Sequence, residues 1–197
     1  VFQYTLQYLF NHYNSSNIMG FDAVFVHLAD HYYLNGQATW ADTAFLSKLS
    51  DRIAKTRPNL IGKKAPELKI ISPSSTIQSL YSVNSAFTIL YFFDTECGHC
   101  KKETPKLKLL SDKYANNGVK VFSIYTQGDQ GKWFKYIEDQ GLKDWHNGWD
   151  PYNKSNFREN YDILSTPMVY LLDKDKKIIA KKLDVENLEK MLEDLLK

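Results

Sequence analysis

The residues of this sequence that are best suited to chemistry are two cysteines, Cys97 and Cys100, which enclose Gly98 and His99. They are the only two cysteines in the 197 residues. The nucleophile of thiol–disulfide exchange is a thiolate, and two thiols at this spacing can close a small disulfide. The pair therefore predicts a redox site.

The residues on either side of the pair predict the elements that position it. Phe87 to Phe93 is a short apolar run without polar alternation, which is typical of a strand buried on both faces. A lysine-rich helical pattern follows the cysteines. We therefore expect Cys97 at a helix N-terminus, where unpaired backbone N–H groups and the helix dipole favour a thiolate. Cys100 is expected one turn further into the helix.

Metal ligation is the main alternative chemistry for these side chains. Zinc prefers four ligands, and the chain has no second cysteine pair to supply them. A metal-binding or metallochaperone module with Cys97, Cys100 and His99 as soft ligands remains open. His27 and His31 stand four residues apart, but no third ligand is evident, so we expect ordinary surface or core histidines. We expect no metal and no cofactor.

Composition and charge exclude several classes of partner. The net charge is +2, with 25 basic and 23 acidic residues, which argues against binding to nucleic acid or to an anionic membrane surface. No apolar run approaches the length of a membrane span. At 43% hydrophobic residues, the chain can form one sizeable core plus an appendage.

Residues 1–60 predict a helical N-terminal domain or arm. The first helix carries an apolar stripe and stops at residues 14–17, and the second spans about Phe21 to Leu34. The third is expected to open at Thr39, because Thr39 and Asp42 have the spacing of a capping box, and to end at Pro58. An alternative function is a non-enzymatic interaction protein, in which this region binds a partner and the remainder is a scaffold.

Residues 61–197 predict a second domain with alternating strands and helices. One helix lies between the central strand, Phe87 to Phe93, and the next strand at residues 119–125. This strand–helix–strand unit predicts that the two strands pair in parallel. Residues 142–160 are expected to form a polar, aromatic loop that ends in a short helix. The remaining elements are expected at residues 67–71, 76–80, 129–141, 168–172, 177–183 and 185–196. This order is that of a thioredoxin fold, an α/β architecture with a central mixed sheet flanked by helices.

Several ordered motifs resemble one family. Residues from about 61 to the end resemble the thioredoxin-like thiol–disulfide oxidoreductases, in particular the TlpA-like and alkyl-hydroperoxide-reductase/thiol-specific-antioxidant-like branch of the bacterial cell envelope. The motifs that carry the resemblance are Gly62-Lys63-Lys64-Ala65-Pro66-Glu67, Cys97-Gly98-His99-Cys100 with Lys101-Lys102-Glu103 and Pro105, Trp149-Asp150-Pro151, Phe157-Arg158, Tyr161-Asp162-Ile163 and Ser165-Thr166-Pro167.

The resemblance implies a role for each site residue. It makes Cys97 the attacking nucleophile and Cys100 the resolving thiol of an enzyme that exchanges disulfides. It also implies a cis Thr166–Pro167 bond, which places the Thr166 backbone beside the disulfide to pair with an extended substrate. The implied partners are protein thiols or disulfides and a redox donor or acceptor protein. The implied location is the periplasm or cell envelope, so we expect a signal or lipoprotein sequence upstream of Val1.

The chain departs from the family pattern beside the first cysteine. Many relatives have Trp at the position of Glu96, and a carboxylate there would oppose the thiolate that His99, Lys101 and the helix terminus favour. We expect the side chains of His99, Glu96 and Lys101 to tune the redox potential. The peroxide-reducing branch has Thr where this chain has Asp94, which argues against peroxidase activity. The direction of electron flow remains open.

Overall fold

The computed structural model describes residues 1–16 and 18–197, and within these residues seven strands form one mixed sheet. The strands are β1 (Lys69–Ile71), β2 (Ile77–Ser79), β3 (Phe87–Phe93), β4 (Val119–Tyr125), β5 (His146–Trp149), β6 (Met168–Leu172) and β7 (Ile178–Lys181). Their order across the sheet is β2-β1-β5-β4-β3-β6-β7. Strand β3 pairs in parallel with β4, as predicted, and antiparallel with β6.

Helices cover the sheet and precede it. They are α1 (Phe2–Ser15), α2 (Phe21–Leu28), α3 (Thr43–Thr56), α4 (Gly98–Lys113), α5 (Gln130–Asp139), α6 (Phe157–Asn160) and α7 (Val185–Leu195). Side chains of α4, α5 and α7 share one apolar cluster on one face of the sheet, whereas α6 contributes to the cluster on the opposite face. This arrangement is a thioredoxin fold preceded by a helical region, and it confirms the predicted fold class.

Strand β3 is buried on both faces, as its uniformly apolar sequence predicts. Ile89, Tyr91 and Phe93 point into the cluster shared with α4, and the intervening Leu90 and Phe92 point into the other. All five side chains are fully buried. Because successive side chains of a strand alternate between faces, such a run packs into the apolar clusters on both faces of the sheet.

The prediction of a loop over residues 142–160 was wrong, because this segment contains strand β5. It pairs in parallel with β4 and antiparallel with β1. The strand carries no apolar alternation, since its interior residues are Asn147 and Gly148. Asn147 is buried and accepts a hydrogen bond from Ser123 (2.8 Å), and a Cβ at Gly148 would lie 1.6 Å from the Ile70 Cδ1. Tertiary contacts rather than local pattern therefore specify this strand.

The start of the third helix was also predicted wrongly. Helix α3 begins at Thr43 rather than at Thr39, and Asp42 is its N-cap residue. The Asp42 Oδ1 accepts the backbone N–H of Phe45 at 2.7 Å, which satisfies one of the unpaired donors of the first turn. Asp42 therefore caps the helix from outside and does not occupy the third helical position of a capping box opened by Thr39.

The helical region forms a core of its own. Its buried side chains come from all three helices and include Phe10, Phe25 and Ile53. The second helix continues beyond α2 as a π-helical turn, Ala29–Tyr33, close to the predicted end. Helix α1 ends at Ser15, and Asn17, the last residue of its predicted stop signal, lies outside the described residues. The division into domains at residues 60 and 61 stays a prediction.

Candidate active site

The end of strand β3 and the start of helix α4 position the two cysteines. Cys97 is the N-cap residue of α4, and its Sγ accepts the backbone N–H of Cys100 at 3.3 Å. Cys97 is half-buried, whereas Cys100 is fully buried in the cluster between the sheet and α4. Both thiols are free. The structure thus confirms that the first sulfur lies at a helix N-terminus and the second one turn inside.

The two thiols differ in how easily they lose a proton. Burial alone would raise the pKa of Cys97, but hydrogen bonds to its sulfur outweigh that effect, chiefly those from the backbone N–H and the thiol of Cys100. The pKa of Cys97 is therefore lowered. Burial raises the pKa of Cys100 to about 12. Cys97 is the thiol that ionises first, and Cys100 keeps its proton near neutral pH.

The peptide bond between Thr166 and Pro167 is cis, as the resemblance implies. The backbone carbonyl of Thr166 accepts a hydrogen bond from the Cys97 Sγ at 3.2 Å. Pro167 lies beside a groove of about 450 Å³, which His99 lines from the helix side. Leu164 lines the same groove with a side chain that is 77% exposed. Residues 162–167, here called the cis-proline loop, therefore contribute four lining residues to the groove and one contact to the reactive sulfur.

The three side chains expected to tune the potential lie on two sides of Cys97. His99 is exposed and lines the groove, whereas Glu96 and Lys101 lie together on another side of the α4 terminus. Glu96 Oε1 lies 2.6 Å from the Lys132 Nζ, and this hydrogen bond lowers the pKa of Glu96. The carboxylate beside Cys97 therefore has a cation of its own, which weakens its effect on the thiolate.

A buried group of three hydroxyls next to Cys100 was not predicted from the sequence. The Thr104 Oγ1 lies 2.9 Å from the Tyr91 hydroxyl, and it accepts a hydrogen bond from the Tyr136 hydroxyl at 2.8 Å. The Tyr136 hydroxyl also lies 3.4 Å from the Cys100 carbonyl oxygen. Tyr91 is the one residue of the central part of β3 whose side chain can form a hydrogen bond. This feature of the sequence could have indicated that the hydroxyl has a buried partner. A buried hydroxyl needs a partner.

Among residues 1–16 and 18–197, no group of three or more His, Cys, Asp or Glu side chains is arranged to hold a metal ion. The His27 and His31 rings stack with centroids 4.0 Å apart, and the His31 Nδ1 is hydrogen-bonded to the His27 carbonyl at 3.0 Å.

In the same described residues, no helix is both long and apolar enough to cross a bilayer.

Comparisons with known proteins identify the family of the chain. The AhpC/TSA family model matches residues 61–189. The thiol-disulfide oxidoreductase ResA of Bacillus anthracis is 26% identical over 137 residues, which are 70% of this chain and 77% of ResA. A solved domain of a possible thiol-disulfide isomerase from Cytophaga hutchinsonii is 40% identical, with a TM-score of 0.65, and the match covers 69% of this chain and 92% of that domain.

The helical region also has a structural counterpart. A thioredoxin-like protein from Bacteroides caccae is similar over 98% of this chain and 77% of its own, with a TM-score of 0.75. Its sequence identity is 22%, so the likeness shows the fold alone. The match nevertheless covers both the helical region and the thioredoxin fold.

Proposed function

Because the chain belongs to the AhpC/TSA family and is a thioredoxin-fold thiol–disulfide oxidoreductase, we propose that it exchanges disulfides with protein partners through Cys97 and Cys100. The observation that carries this proposal is the contrast between the two thiols. Cys97 is accessible and has a lowered pKa, whereas Cys100 is buried and has a pKa of about 12. Such a pair supplies one attacking and one resolving sulfur.

The reaction proceeds through a mixed disulfide. The Cys97 thiolate attacks one sulfur of the partner's disulfide, and that S–S bond breaks as the other partner sulfur leaves as a thiolate and takes up a proton. Cys100 then loses its proton and attacks the Cys97 sulfur, which forms the Cys97–Cys100 disulfide and releases the second partner thiol. Two electrons pass from the cysteine pair to the partner, and the reverse sequence oxidises a partner dithiol.

The cis-proline loop supports a role for Thr166 and Pro167 in binding the partner. The Thr166 carbonyl already contacts the Cys97 sulfur, so a chain that delivers a disulfide to this sulfur must pass close to the Thr166 backbone. We assign pairing with an extended partner segment to the backbone groups of Thr166. His99, Glu96 and Lys101 adjust the potential through their charges, and Lys132 moderates the contribution of Glu96.

The partners and the location follow from the resemblance. The partners are of two kinds: proteins whose thiols or disulfides the cysteine pair acts on, and a second protein that supplies or accepts electrons. The location is the periplasm or the cell envelope, where disulfides form and persist. Fractionation of the source cells with an antibody against the protein tests the location, and recovery from the cytoplasmic fraction would contradict it.

Trapping of the mixed disulfide tests the assignment of the two sulfurs. Cys100→Ser should accumulate a covalent adduct with a disulfide-bonded substrate, because the resolving thiol is absent. Cys97→Ser should accumulate none, because the remaining thiol is buried and protonated. Non-reducing electrophoresis and mass spectrometry detect the adduct. Equal trapping by the two variants would overturn the assignment.

A further inference from the structure

Three ion pairs of the described residues join the helical region to the thioredoxin fold: an exposed one between Lys55 of α3 and Glu159 of α6 (2.6 Å), and two crossed ones that are less exposed. Arg52 of α3 pairs with Asp162 of the cis-proline loop, and Asp22 of α2 pairs with Lys181 of β7. Each side therefore contributes one cation and one anion. The side chains of Lys181, Asp162 and Asp22 are only 5%, 12% and 19% exposed, so these three members are largely shielded from water, whereas the Arg52 side chain is 35% exposed. Shielded pairs favour one arrangement of two surfaces over others.

Asp162 connects the helical region to the groove beside Cys97. Its backbone has a left-handed conformation, with φ of 50°, at the start of the cis-proline loop. The groove and the cleft that faces α3 both include Asp162 among their lining residues. Four residues further along the chain is Thr166, whose carbonyl contacts the Cys97 sulfur. Asp162 and the carbonyl that contacts the reactive sulfur therefore belong to the same short loop.

The second ion pair fixes the neighbouring strand end. Besides Asp22, the Lys181 Nζ donates to the backbone carbonyl of Asn59 at 2.6 Å. The next residue, Lys182, lines the groove and donates its backbone N–H to the Val169 carbonyl at 2.9 Å. Strand β7 is thus held from the helical side at the point where it borders the groove.

We infer that the helical region positions the cis-proline loop for partner binding, and that Arg52 is the main positioning residue. The inference rests on the proposed function, because it concerns the groove that the partner occupies. Removal of the Arg52 cation leaves the Asp162 carboxylate in a shielded site without its counter-ion. The carboxylate then relaxes towards water and takes the loop with it. Partner binding weakens, whereas the thiol chemistry at Cys97 is retained.

Arg52→Gln in the full chain tests this inference. We expect kcat/KM for reduction of insulin disulfides to fall roughly 10-fold, mainly through KM, because small misplacements in a binding site have effects of this size or larger. The rate with the small disulfide 5,5′-dithiobis(2-nitrobenzoic acid) should be unchanged, because it needs no groove. Arg52→Lys should restore the insulin reaction, since it keeps a cation opposite Asp162.

Arg57→Gln is the matched control. Arg57 pairs with Asp30 at 2.7 Å within the helical region, so its loss removes a more exposed Arg–Asp ion pair without touching the loop. Hydrogen–deuterium exchange of residues 162–167 supplies a measurement that does not depend on activity. It should rise in Arg52→Gln and not in Arg57→Gln. Equal exchange of this loop in the two variants would overturn the inference, whatever the activity. Failure of the unmodified chain to reduce insulin would instead contradict the proposed function.

Discussion

At the scale of single residues, the proposed chemistry requires that one sulfur be stabilised as a thiolate while its neighbour is not. The stabilising groups are the backbone N–H and the thiol of Cys100, which act on the Cys97 sulfur at the helix terminus. They are fixed by the helix itself, so the reactivity of Cys97 is a consequence of where α4 begins. The flanking charges are adjustments to this arrangement, and the anionic neighbour in the sequence, Glu96, is already paired with Lys132.

The lowered pKa of Cys97 makes a prediction about alkylation. For an acid, a lowered pKa means that the thiolate fraction rises at a lower pH than in a free thiol, so the rate with iodoacetamide should increase through a midpoint below the usual thiol value of about 8.5. Cys97→Ser serves as the control, because its remaining thiol is buried and should react slowly up to a pH of about 10. A midpoint at or above that of a free thiol would contradict the geometry.

At the scale of elements, strand β3 and helix α4 carry the site together. The strand ends one short turn before Cys97, and the buried hydroxyls of Tyr91 and Thr104 join the strand to the helix behind Cys100. The Tyr136 hydroxyl extends this link to α5. Three elements that meet around the resolving thiol are therefore tied by hydrogen bonds as well as by apolar packing.

Removal of the shared Thr104 hydroxyl tests this link. Thr104→Val leaves the buried Tyr91 and Tyr136 hydroxyls without their common partner, so the free energy of unfolding should fall by about 1–3 kcal/mol. Thr104→Ser keeps the hydroxyl and should retain part of that free energy. Urea unfolding of the reduced proteins measures both. A Val variant as stable as the wild type would show that the hydroxyls find other partners.

The elements also show what the sequence could predict. Strand β3, strand β4 and the position of Cys97 follow from apolar runs and helix signals that act locally. Strand β5 does not, because its residues are specified by contacts with distant segments, such as the approach of Ile70 to Gly148. The cluster of three hydroxyls around Thr104 was not predicted for the same reason. Its three members are far apart in sequence and meet only when the helices pack on the sheet.

At the scale of the whole molecule, ion pairs join the helical region to the thioredoxin fold, and the apolar clusters of the two parts are separate. The crossed pairs of Arg52 with Asp162 and of Lys181 with Asp22 lie between separate apolar clusters. No sequence pattern indicates which charges meet, because the four residues come from four different elements. The ion pairs between residues 1–60 and the rest of the chain could therefore not be predicted from the sequence.

Lys181→Met measures how strongly the two parts are joined. The substitution leaves the Asp22 carboxylate in a shielded site without its cation, so the free energy of unfolding should fall by about 3–5 kcal/mol. Addition of Asp22→Asn should recover part of this loss, because it removes the unpaired charge. Lys190→Met, which removes an exposed pair with Glu186, should change stability by less than about 1 kcal/mol. Equal effects of the two lysine substitutions in urea unfolding would contradict a shielded interface.

Equilibration with glutathione tests most directly whether Cys97 and Cys100 act as one redox couple. The protein is incubated in buffers of increasing ratio of reduced to oxidised glutathione, and its free thiols are then alkylated and counted by mass spectrometry. We expect a two-electron transition in which both thiols appear together, so that the ratio of reduced to oxidised protein changes tenfold for about every 30 mV of solution potential. Both single Cys→Ser variants should lack this transition. Two thiols that remain free at every ratio would show that the pair is not redox-active.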